Sequence, residues 1–196
     1  MSIKITETGT AEYPYLTTPD YQFSSGGKYQ VKLVVPKEKA KTDIELINNV
    51  IASRVAKECQ NKPGDQIKKA PLPYEVVGDM VRFKFHCVAS GINSKTGKTF
   101  TQKPVIKDAK DKLFPEDKQI WSGSKLRVAY EPVSYNVSGT GVGATLRLKG
   151  CQVVELVEGS GVTFGEIEDN QGEYQGLPKD DPMDDPLPKV NQGVNQ

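Results

Sequence analysis

Four stretches of the chain set cations opposite apolar residues at a two-residue spacing. Lys32 alternates with Val31 and Leu33; Arg82 and Lys84 with Val81, Phe83 and Phe85; Lys125 and Arg127 with Leu126 and Val128; Arg147 and Lys149 with Leu146 and Leu148. Cations spread this way suit pairing with a polyanion, because each phosphate that Lys or Arg neutralises releases condensed counterions. No Asp or Glu occupies those face positions. An ordinary solvated sheet face, which is polar in any protein, stays as the alternative. Tyr13, Tyr15, Tyr21, Phe100, Trp121, Tyr130 and Tyr135 offer flat π surfaces for unpaired bases, each stack being worth about 1–3 kcal/mol. Most aromatics of a small barrel are core. Tyr135 stands apart because it lies in the polar stretch Pro132-Val133-Ser134-Tyr135-Asn136-Val137-Ser138-Gly139, and Tyr130 is its expected helper.

Other chemistries are poorly provided for. His86 is the one histidine, and most hydrolytic and metal-dependent reactions need an imidazole to move a proton or hold the ion. Cys59, Cys87 and Cys151 are odd in number, far apart and without a Cys-x-x-Cys pair. They read as buried free thiols, not as a disulfide framework or a zinc site. No metal or cofactor is expected, and the chain is read as non-catalytic. Gly91-Ile92-Asn93-Ser94-Lys95-Thr96-Gly97-Lys98-Thr99 imitates a phosphate-binding loop, but five residues, not four, precede its Gly-Lys-Thr. The residues after it have a strand pattern, so no helix N-terminus would face the phosphates. The segment reads instead as a basic hairpin tip carrying Lys95 and Lys98.

The elements that must position these residues are mostly strands. Residues 28–36 place Tyr29, Val31, Leu33 and Val35 on one face. A helix is expected over about 42–60, capped by Thr42 with Glu45 completing the box, and with Ile44, Ile47, Ile51 and Val55 as its buried stripe. Residues 62–79 are proline-rich and read as a loop. From residue 80 the period returns to two, and further strands are expected over 99–106, 124–130 and 145–157. Several strands with one helix between the first and second predict an all-β fold, a small Greek-key barrel, over a parallel α/β sheet.

The net charge of +1 hides an asymmetry. Residues 1–157 hold 24 Lys and Arg against 16 Asp and Glu, while residues 158–196 hold 2 against 9. After Val157 glycines lead into Pro178-Lys179-Asp180-Asp181-Pro182-Met183-Asp184-Asp185-Pro186, which lacks the apolar residues needed to repay the entropy of ordering. The chain therefore divides into a folded domain over 1–165 and a disordered acidic tail over 166–196. A basic body joined to an acidic tail predicts a polyanion-binding surface and a segment able to compete for it. No run approaches the roughly 18 apolar residues of a membrane span, and no signal-like stretch opens the sequence. A cytoplasmic location is expected, with no membrane contact.

These segments resemble the replication single-stranded-DNA-binding proteins of short-tailed phages of the T-seven group. The likeness begins at Gly9-Thr10-Ala11-Glu12-Tyr13-Pro14-Tyr15 and Pro19-Asp20-Tyr21. It continues through Tyr29-Gln30-Val31-Lys32-Leu33 and Phe83-Lys84-Phe85-His86-Cys87-Val88-Ala89-Ser90. Its longest part runs from Gly123-Ser124-Lys125-Leu126 through Tyr130, Tyr135 and Val142-Gly143-Ala144 to Val154-Glu155-Leu156. The resemblance implies a five-stranded OB-fold that binds single-stranded DNA without strong sequence preference, in phage replication, recombination and repair. It implies contacts with a phage polymerase and helicase through the acidic tail, here Asp180, Asp181, Asp184 and Asp185, and the option of a homodimer. DNA contacts would fall on Lys32, Arg82, Lys84, Lys125, Arg127, Arg147 and Lys149, on the hairpin near Lys95 and Lys98, and on Tyr135. The family pattern has a tryptophan near Val137 and an aromatic residue ending the tail; this chain has neither.

Rival readings keep separate signatures. A phage structural or decoration protein would share the β pattern and acidic tail but has no use for cations on strand faces. A nuclease would need a tight carboxylate cluster for magnesium. A single-stranded-RNA chaperone would use the same backbone and stacking contacts.

Overall fold

The computed structural model describes residues 2–22, 24–60, 67–93 and 96–159. Ten strands and one helix run in order: β1 Lys4–Ile5, β2 Gly9–Asp20, β3 Lys28–Pro36, α1 Lys37–Cys59, β4 Tyr74–Val77, β5 Met80–Val88, β6 Ser90–Ile92, β7 Thr99–Thr101, β8 Val105–Lys107, β9 Lys125–Val137 and β10 Gly141–Glu155. The long strands close on themselves, β2 pairing with β3, β3 with β5, β5 with β10, β10 with β9 and β9 with β2. Every contact of that ring is antiparallel except β5 with β10, which is parallel. This is the five-stranded Greek-key closure of an OB barrel, and it removes the open edges of the central sheet.

Alternation fills the interior. Val31, Leu33 and Val35 of β3, Val81, Phe83 and Phe85 of β5, Leu126, Val128 and Tyr130 of β9, and Leu146 and Leu148 of β10 are all buried. The Phe85 and Tyr130 rings meet at 5.2 Å between centroids, tilted by 58°, the edge-to-face packing that aromatic quadrupoles favour. Ala40 and Ile47 of α1 are buried in the same core.

Several expectations need correction. The helix starts at Lys37, not near Thr42, so Thr42 lies inside it and caps nothing. Its first turn is set by Pro36, the N-cap residue, and by the Lys37 N–H donating to the Asp79 carbonyl at 2.9 Å. Proline there closes β3 directly onto the helix. The helix falls between the second and third barrel strands, because β2 was not foreseen as a strand. The proline-rich stretch holds β4, paired with β5, and a parallel bridge of Lys69 with Val142. The strand expected over 99–106 is two, β7 pairing with β6 and β8 running parallel to β10. Cys87 and Cys151 are buried thiols, burial pushing the Cys151 thiol up to about 12, but Cys59 is exposed at the helix end. Among the described residues no helix is long and apolar enough to cross a membrane. The tail lies outside the described residues.

Candidate nucleic-acid interface

Outward residues of four adjacent barrel strands form a continuous surface. In cross-strand register Tyr15 faces Gln30, Gln30 faces His86, and His86 faces Arg147. The neighbouring row sets Glu12 beside Lys32 and Lys32 beside Lys84. Like charges placed directly opposite destabilise a sheet, so the Lys32–Lys84 pair is a cost that packing alone does not explain. A cleft over these rows is lined by Tyr13, Tyr15, Lys28, Lys32, Lys84, Tyr135, His86 and Thr145 among others. His86 and Thr145 also open a second cleft, walled by Asn93, Phe100, Arg147 and Lys149. A third, with Glu12, Arg82 and Ser122, shares Tyr13 and Lys32 with the first.

Two aromatics are specially held. Tyr13 is 65% exposed and has φ of +49°, a backbone region that costs a non-glycine residue about 1–3 kcal/mol. The strand is irregular at this point, its register against β3 shifting between Glu12 and Tyr15, and the Tyr13 N–H is taken by Ser122 Oγ at 3.0 Å. The ring lies under Lys32 Nζ, 5.0 Å from its centroid. Tyr135 is half-buried and opposite Gly143; a Cβ on Gly143 would come within 2.8 Å of the Tyr135 Cζ and hydroxyl. The missing side chain is what lets the ring lie across the strand.

The cations sort into three groups. Lys32, Lys84 and Arg147 line the clefts and, among the described residues, have no ion pair; the same holds for Lys28, which sequence reasoning did not single out. Arg82 and Lys149 are held by carboxylates: Arg82 Nε to Glu12 at 2.7 Å and Nη1 to Glu75 at 3.3 Å, Lys149 Nζ to Glu131 at 3.1 Å. Lys149, with Arg147 beside it, holds the Glu131 carboxyl below the usual range. Lys125 and Arg127 are placed elsewhere. They begin β9, about 33 Å (Lys125) and about 26 Å (Arg127) of strand before Tyr135 at ~3.3 Å per residue, and Lys125 donates to Thr10 Oγ1 at 2.8 Å.

Tyr130 is corrected outright. Its side chain is fully buried, and its hydroxyl donates to Asp43 Oδ1 on α1 at 2.6 Å. Burial and that carboxylate hold the phenol protonated, and no base can reach its face. Conversely Tyr13, Tyr15, Tyr21, Phe100 and Trp121, each weighed as core, are all exposed. Lys98 is exposed beside the β6–β7 hairpin, whereas Lys95 lies outside the described residues, as do Asp180, Asp181, Asp184 and Asp185. The phosphate-loop imitation leads into β7, a strand.

Comparison with known proteins agrees with this architecture. No curated protein sequence matches the chain. The crystal structure of gp2.5, a single-stranded DNA-binding protein encoded by bacteriophage T7, superposes with a TM-score of 0.72 at 28% identity, covering 85% of this chain and 99% of that one. The single-stranded DNA-binding protein of bacteriophage Enc34 in complex with ssDNA shares the fold at 16% identity and a TM-score of 0.52, over 81% of this chain and 89% of that one. Its C-terminally truncated form gives 14% and 0.53, over 80% and 87%. The family profile described as single-stranded DNA-binding protein, bacteriophage T7, matches residues 8–158, and the chain belongs to that family.

Proposed function

We propose that the chain binds single-stranded DNA without sequence preference and coats strands exposed during phage replication, recombination and repair. The observation that carries this reading is the cleft where Tyr13, Tyr15 and Tyr135 stand among Lys28, Lys32 and Lys84. Stacking surfaces alternating with cations are what a flexible strand needs, because every base has a π face and every nucleotide a phosphate. Base edges have no dedicated partner in such a site, which accounts for indifference to sequence. Membership of the family and the likeness to gp2.5 support the same assignment.

The reading is of a non-catalytic protein working in the host cytoplasm. Lys32, Lys84, Arg147 and Lys28 neutralise phosphates, with Lys149 and Arg82 joining by exchanging a carboxylate for a phosphate. Lys98, beside the β6–β7 hairpin, and Lys95 add further phosphate contacts. Asp180, Asp181, Asp184 and Asp185 serve a polymerase or helicase, and a homodimer is compatible with this division of labour. Fluorescence anisotropy of labelled oligo-dT against a duplex control, at several salt concentrations, tests the core of it. Preference for the single strand, with log K falling linearly as log salt rises, is the expected result. Equal affinity for duplex, or none for either, would overturn it, and tighter binding of oligo-U would favour an RNA substrate.

A further inference from the structure

The lone histidine of the chain is shared by the linings of two clefts. His86 is on the outward face of β5, with Gln30 of β3 on one side and Arg147 of β10 on the other. Its ring meets Thr145 Oγ1, 3.4 Å from Nε2. The charged groups around it are mostly of one sign. Lys84 precedes it by two on its own strand, Lys28 and Lys32 come from β3, and Arg147 and Lys149 from β10. Two carboxylates are near and both are engaged: Asp20 of β2 accepts from Gln30 Nε2 at 2.9 Å, and Glu131 of β9 is paired with Lys149.

We infer that His86 is a DNA-contacting residue that binds the phosphate backbone as an imidazolium, so that each protein molecule takes up a proton when it engages a strand. The inference rests on the proposed function above. In the free protein burial, with Lys28 and Arg147 alongside, holds the imidazole below its ordinary value, so it is neutral at physiological pH. A strand lying from one cleft to the other passes over His86 and brings anions against it. Those anions also screen the neighbouring cations, and both effects favour the charged ring. The sign comes from linkage. Affinity grows as pH falls through the DNA-bound pKa and levels off below the free one, gaining tenfold for each unit between them. The same residue becomes a sensor of local acidity, as histidines near neutral pH do.

Because the chain has a single histidine, its imidazole resonances can be followed by NMR in the full-length protein without assignment ambiguity. The expected result is a pKa that rises when saturating oligo-dT is added, with oligo-dT affinity increasing between pH 8 and pH 5.5. His86→Gln should bind with an affinity that no longer changes over that range, and His86→Lys, carrying a fixed charge, should also be flat but tighter than the glutamine variant. An unmoved imidazole pKa in the saturated complex, or a pH dependence that persists in His86→Gln, would overturn the inference while leaving single-strand binding intact. Failure of the wild-type protein to bind oligo-dT at any pH would instead overturn the functional reading and the inference with it.

Discussion

On the proposed reading Tyr13 and Tyr135 are stacking surfaces, and the backbone around each sets how its ring is presented. Tyr13 holds a left-handed backbone at a strand irregularity and presents most of its ring to solvent, a placement that stability alone does not favour. Substitution should therefore reverse a familiar order. Tyr13→Gly and Tyr13→Ala should both weaken oligo-dT binding by about 1–3 kcal/mol. Yet Tyr13→Gly should be the more stable of the two by about 1 kcal/mol, because only glycine adopts φ near +49° freely. Urea denaturation of the pair decides it: the alanine variant unfolding last would show that the backbone at residue 13 is unstrained. Tyr135 depends on its partner strand. In Gly143→Ala the new methyl group meets the Tyr135 ring and Ala70 Cβ, the latter at 2.7 Å, so the ring must swing away. Affinity should fall by about as much as in Tyr135→Ala, about 1–3 kcal/mol, and the double variant should be no worse than either single one. Additive losses would mean that Gly143 does not act through Tyr135.

At the scale of elements, β9 and α1 are joined by a polar contact inside an apolar core. The Tyr130 hydroxyl donates to Asp43, whose carboxyl burial raises above the usual range while the phenol pulls it back down. Tyr130→Phe leaves that half-buried carboxylate without its donor and should cost about 2 kcal/mol in urea denaturation. Oligo-dT affinity should not change; a weakened complex with normal stability would return Tyr130 to the DNA site. How much of this was legible varied by element for physical reasons. β3 and β5 were readable because each buries one face and solvates the other along its whole length. β9 and β10 were readable only where the period of two holds, over residues 126–130 and 145–149, and not at the end of β9 or over the buried run that opens β10. β2 was not, since Pro14, Pro19 and two register shifts break its alternation. β4 was hidden because Glu75, Val76 and Val77 are exposed in turn, leaving no pattern to find. The helix start was misplaced because a tertiary contact, Lys37 to Asp79, overrides the local capping signal at Thr42.

At the scale of the whole molecule, closure of the barrel explains why the site was only half visible. Alternation says which residues point out of a strand, but around a closed barrel outward covers every direction. Only topology brings Lys32, Lys84 and Arg147 to one surface and sets Lys125 and Arg127 at the end of β9 away from Tyr135, beside the start of β2, and no local pattern carries that information. The sorting can be measured. On the proposed reading Lys28, Lys32, Lys84 and Arg147, which line the clefts without an ion pair among the described residues, contribute about −3 to the slope of log K on log salt for a single strand, at roughly 0.7 per phosphate, and Lys95 and Lys98 steepen it further. Lys84→Gln should make it shallower by about 0.7, and Lys125→Gln should leave it alone; the opposite pattern would move the DNA path to the start of β9. The same electrostatics bears on the acidic segment over 166–196, where 2 Lys face 8 Asp and Glu. On the proposed reading a carboxylate-rich chain tethered to a cationic groove would compete with phosphates for the same cations at a high effective concentration. Deleting residues 166–196 should therefore tighten oligo-dT binding, most at low salt, where the attraction is unscreened, and the gain should fade as the Debye length shortens from about 30 Å at 0.01 M to about 10 Å at 0.1 M. Equal affinity with and without the segment at low salt would show that the groove is open to DNA whether or not the acidic residues are attached.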